Sequence, residues 1–149
     1  MPHFGLIDEE NMAEDEVLLM RARLHLRSGR RRLYEGKLPD AVAVLYDAVW
    51  SAMQWVALNS DWWDSETVNR QNELLEDDLR LHELLQRKGI WHRALNYHEL
   101  RQLVEQALQG SVPEFDRQDL LNRIEALMTV FGVMPFDENE LPPEAPDAF

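Results

Sequence analysis

The sequence predicts an all-α fold: a single compact bundle of about five helices with an extended acidic C-terminal tail. Three observations predict it. Apolar residues recur at spacings of three and four in separate stretches, which places them on one face of a helix. Gly36, Gly89, Gly110 and Gly132 stand where those stretches end, and glycine is the residue that closes helices. No βαβ rhythm interrupts them. The chain has 149 residues, the size of one domain that buries a core without disulfides or a structural metal. Residues 1–13 are read as an acidic lead-in, 14–134 as the bundle and 135–149 as the tail.

The first helix is expected over 14–35. Leu18, Ala22, Leu26, Gly29 and Leu33 share a face, and Arg23, Arg27 and Arg31 follow at i+4 on another. Pro39 suits the first turn of a second helix, because its missing N–H would lack a partner there anyway. That helix runs to Leu58 and is apolar on most sides, which makes it the central helix. Its few polar positions, Asp47, Ser51 and Gln54, form a narrow stripe. Residues 59–64 read as a loop. In it Trp62 and Trp63 are expected to close the bundle end as a lid, with Asp61 and Asp64 capping the next helix.

A third helix is expected over 65–88, with Leu75, Leu79, Leu81, Leu84 and Leu85 inward and Glu76–Arg80 and Glu83–Arg87 as supporting pairs. Asn96 and Glu99 fit a capping box for the fourth. Its inward face is Leu100, Leu103, Val104, Ala107 and Leu108. Asp116 caps the fifth, Phe115 staples onto Leu120, and Ile124, Leu127, Met128 and Phe131 continue the buried stripe.

The charge is segregated. Fifteen Lys and Arg face 28 Asp and Glu, a net −13. Residues 21–37 carry seven of the basic residues and one acid, so they are +6 and the remainder −19. Such a balance disfavours general nucleic-acid binding and anionic membranes. The segment 8–16 holds six acids. The tail holds four of the seven prolines and five acids, which reads as a solvated, extended or disordered arm. No signal peptide and no membrane-length apolar run is read in the chain, so the expected location is the cytoplasm.

Little chemistry is encoded. Gly-x-Ser-x-Gly and phosphate-cradling Gly-rich loops are absent. The absence of cysteine removes thiol catalysis and Cys-based metal sites. The residues three before His25, His82, His92 and His98 are Ala22, Leu79, Gly89 and Leu95, so the Glu-x-x-His di-iron pattern is missing. Asp78 and His82 stand one turn apart and are expected to be a solvated pair. No cofactor or metal is expected. Arg30, Arg31 and Arg32 are consecutive near a helix C-terminus, where cations are favoured. With Arg23 and Arg27 they are the candidate docking face for an acidic protein partner or for the chain's own tail.

The stretch Ala22-Arg23-Leu24, Leu33-Tyr34-Glu35-Gly36-Lys37-Leu38-Pro39-Asp40-Ala41 and Tyr46-Asp47-Ala48 resembles the first two helices of HEPN domains. The resemblance covers about a quarter of the chain. It implies a four- to five-helix bundle, usually dimeric, acting as a ribonuclease, a nucleotidyltransferase partner or an inactive scaffold. Ribonucleolytic members carry Arg, four to six residues, then His, and Arg87 and His92 have that spacing here. On it His92 is a general acid/base and Arg87 stabilises the phosphorane charge. Gly89 breaks the segment, and the last helix has no His.

The leading expectation is a non-catalytic interaction or regulatory module, self-associating through an apolar helix face. The alternatives are a HEPN-like, metal-independent ribonuclease using Arg87 and His92, and a small-ligand bundle using Trp50, Trp55 or Trp62 and Trp63.

Overall fold

The structure is a computed structural model, and it describes residues 7, 10–61, 63 and 70–144. Among the described residues there are six α-helices and no strand. They are α1 (Glu14–Glu35), α2 (Leu38–Leu58), α3 (Gln71–Glu76), α4 (Asp78–Arg87), α5 (Tyr97–Leu108) and α6 (Arg117–Phe131).

The α1–α2 hairpin is the frame. Gly36 turns it with φ 78°, a left-handed conformation that glycine adopts without steric cost. Its neighbour Lys37 donates back to the Arg32 carbonyl. Close approach of the two helices depends on Gly29, where a Cβ would stand 2.5 Å from Leu45 Cδ2. Helix α2 has the length and composition to cross a membrane. Its apolar surface is used inside the bundle: Ala41, Val42, Leu45, Ala48, Val49, Ala52, Met53 and Ala57 are fully buried, and α1, α4, α5 and α6 pack on it. The remaining apolar positions of α2, among them Val44, Trp50, Trp55 and Val56, are partly buried.

The polar stripe of α2 faces protein, not solvent. Ser51 is buried, and Gln54 donates to the Leu75 carbonyl at 2.7 Å. Asp47 meets His25 and Arg21 of α1. A polar group inside a bundle needs such partners, because leaving it unpaired costs about 1–3 kcal/mol.

The third predicted helix is divided. Asp77 has extended backbone and caps α4 by accepting from the Arg80 amide at 3.2 Å. Arg80 consequently pairs with Glu73 and Asp77 instead of Glu76. The part of that prediction on residues 64–69 lies outside the described residues, as do Trp62 and Asp64. In α5, Asn96 accepts from the amides of His98 and Glu99. Tyr97 and Leu100 are buried, but Leu108 is 79% exposed. The predicted inward stripe thus opens towards the C-terminal end of the helix. Asp116 caps α6 through the Asp119 amide at 2.9 Å. Leu120, Leu121, Ile124, Leu127, Met128 and Phe131 complete the core, with Gly132 closing the helix.

Candidate functional site

The basic face of α1 is covered by the chain's own C-terminal segment. Beyond α6, residues 133–144 run back along α1, with one 3-10 turn at Glu138–Glu140. Arg23 Nε donates to the Val133 carbonyl at 3.0 Å, and its guanidinium lies 5.4 Å from the centre of the Phe136 ring, within cation–π range. Arg27 donates to the Pro142 carbonyl at 2.6 Å. Arg30 bridges Glu125 of α6 at 2.9 Å and Glu138 at 2.5 Å. Arg31 stands 3.3 Å from the Glu144 carboxylate. The arginine spacing of three and four sets the pitch at which these contacts repeat. The tail is therefore extended as predicted, but through Glu144 it is seated on protein rather than solvated.

Arg32 departs from the predicted docking set. It is fully buried, and it donates to Ser28 Oγ one turn back. Burial first, then the neighbouring charge of Arg31, lowers its pKa. No surface group reaches it without opening the α1 packing, so the arginines that meet the C-terminal segment are Arg23, Arg27, Arg30 and Arg31. Three consecutive arginines point in directions about 100° apart on a helix, and one of them has to face the core here.

Two polar clusters escaped the sequence reading. In the first, His25 is 1% exposed and its Nδ1 meets Asp47 Oδ2, with Arg21 Nε 3.8 Å from the same oxygen. The available signal was the narrow polar stripe on an otherwise apolar α2. In the second, one carboxylate oxygen of Asp78 accepts from Tyr46 at 2.7 Å, Tyr97 at 2.7 Å and Arg101 at 2.9 Å. Burial alone would raise the Asp78 pKa, but these hydrogen bonds and the Arg101 charge lower it overall. Burial raises the pKa of both tyrosines, and their bonds to Asp78 add to it. The cluster joins α2, α4 and α5, which the chain order of its members does not disclose.

His82 is not part of a solvated pair with Asp78. It is 3% exposed, stacked on Tyr97 with ring centres 4.8 Å apart and edge-on to Trp91 at 4.4 Å. Burial, and then the nearby His98, lower its pKa to about 4. Among the described residues no group of three or more His, Asp or Glu is arranged to hold a metal ion.

Arg87 and His92 are exposed on either side of Gly89. His92 Nδ1 accepts from the Ala94 amide at 3.1 Å, which fixes its own loop. No hydrogen bond or ion pair joins His92 to Arg87 among the described residues. Trp63 donates from its indole to the Ala57 carbonyl at 2.8 Å and packs on the core, in the manner of a lid. Trp55 packs on the core, and Trp50 lies against Tyr46. Comparison with protein-family models, with curated proteins and with solved structures finds no match for this chain.

Proposed function

We propose that the protein is a non-catalytic interaction module whose basic α1 face holds an acidic, extended peptide segment: its own tail in the resting state, and a partner's segment in exchange. One observation carries this reading. Arg23, Arg27, Arg30 and Arg31 each meet a different group of one extended segment, spread over residues 133–144. Main-chain carbonyls provide affinity that many sequences share, and Glu138 and Glu144 provide charge selectivity.

The strength of the contacts suits exchange. Arg30 and Glu138 are 27% and 43% exposed, and pairs of that kind contribute about 0–1 kcal/mol each. A tethered tail held by several such contacts is favoured mainly by its high local concentration, of order 1 mM for a short tether. A partner with the same chemistry displaces it when tighter or multivalent.

The test uses a fluorescent peptide with the sequence of residues 135–149. It is titrated into the wild-type chain and into the full-length triple variant E138Q/E140Q/E144Q. The variant should bind the peptide at least tenfold more tightly than wild type, and added R27Q/R30Q should abolish the gain. Affinity should also fall with salt. Equal, unsaturable binding to both proteins, with helical circular dichroism intact, sinks the proposal.

A further inference from the structure

We propose that the cavity between α4, the loop after it and the start of α5 is a binding site for a small oxyanion, a carboxylate or phosphate group. The site is separate from the α1 face and independent of the function proposed for that face.

The cavity has a volume of about 270 Å³, enough for a small ligand and slightly below the usual range for drug-sized ones. Its polar lining comes from His82, Gln86, Arg93, Asn96 and His98, with Trp91 and Tyr97 as aromatic walls. No Asp or Glu lines it. In a chain of net charge −13, a concave surface that is lined by no acid and carries the Arg93 guanidinium favours negative charge. Asp78 lies outside this lining; its carboxylate pairs with Arg101 and accepts from Tyr46 and Tyr97, and its remaining field at His82 is outweighed by burial and by His98. Glu99, in the first turn of α5, lies in a different groove, with Leu103 and Phe115.

Two side chains here are uncommitted. His82 is 97% buried, yet its Nε2 has no hydrogen-bond partner. A buried polar atom left so is destabilising, and a ligand or ordered water is the usual remedy. Arg93 is exposed and makes no hydrogen bond or ion pair among the described residues. A guanidinium at the rim with a neutral imidazole on the inner wall suits a planar or tetrahedral oxyanion. Arg93 supplies charge-assisted hydrogen bonds and His82 a single N–H donor. The dipole of α5 adds to the same field, since its N-terminus borders the cavity. The amides of His98 and Glu99 are already taken by Asn96, so side chains rather than backbone hold the anion.

The experiment follows the imidazole resonances of His82 and His98 by NMR while inorganic phosphate is added, and separately sodium acetate, at constant ionic strength and pH 7. Saturable shifts at both histidines are expected with at least one anion, and the tighter of the two assigns the source as phosphate or carboxylate. R93Q, at an exposed position where folding is not at risk, should weaken binding about tenfold, the effect of losing one charge-assisted bond. R87Q, outside the cavity, should leave it unchanged. No saturation at the histidines with either anion, or binding that R93Q leaves intact, overturns the proposal.

Discussion

At the residue scale, two buried positions carry more than their type suggests. Gly29 is a mid-helix glycine, which by propensity alone should gain from alanine. Its Cβ would collide with Leu45, however, and Leu45 is fully buried. G29A should therefore destabilise the fold by about 1–3 kcal/mol, the cost of overpacking a core. Chemical denaturation measures this, and a stabilised variant would show that α1 and α2 separate freely. His82 sets an acid-sensitive component. Its folded pKa is near 4, below the ordinary value near 6.5. The unfolded chain thus takes up a proton that the folded chain refuses, and stability falls as pH drops from about 6.5 towards 4. The loss is on the order of 2–3 kcal/mol. In H82Q the stability profile across that window should be flatter than wild type by this amount.

At the scale of elements, caps and partners decide where helices begin and how they dock. Asp116 and Asp77 each accept an amide from their own first turn. D116A should cost about 1 kcal/mol, read as a lowered unfolding midpoint. Asp78 does more, since it ties α4 to α2 and α5. D78N keeps the shape but leaves the Arg101 guanidinium without its carboxylate, so a loss of about 2 kcal/mol or more is expected. A double variant, D78N/R101L, should recover part of it. If D78N is as stable as wild type, the network does not fasten these helices. The capping signals at Asn96, Asp116 and Gly36 were legible because a cap is a local arrangement within a few residues. The division at Asp77 was not legible, since Leu75, Leu79 and Leu81 read as one continuous stripe. The break follows from Asp77 capping α4, with Asp78 bonded to Tyr46, Tyr97 and Arg101.

At the scale of the whole molecule, charge segregation is resolved within the fold. The +6 segment and the acidic tail lie some hundred residues apart in sequence and meet along α1. Neutralising three tail carboxylates should release residues 137–144 without unfolding the bundle. Faster amide exchange confined to the tail would report it. Raised salt should act in the same direction, because these pairs are partly open to solvent.

The sequence by itself determined the helical class, most helix ends, the central place of α2, the stripe of α6 and the basic stripe of α1. Each of these is set by spacing within one helix or by a capping residue beside it. Only the tertiary structure decided that Arg32 faces inward while its neighbours hold the tail. Only it brought Asp78 to Tyr46, Tyr97 and Arg101, and His82 to Trp91. The hydrogen bonds of the tail and of Asp78 join residues 19 to 115 positions apart. Periodicity tells which face of a helix is apolar, but not which polar group of another helix will stand opposite it.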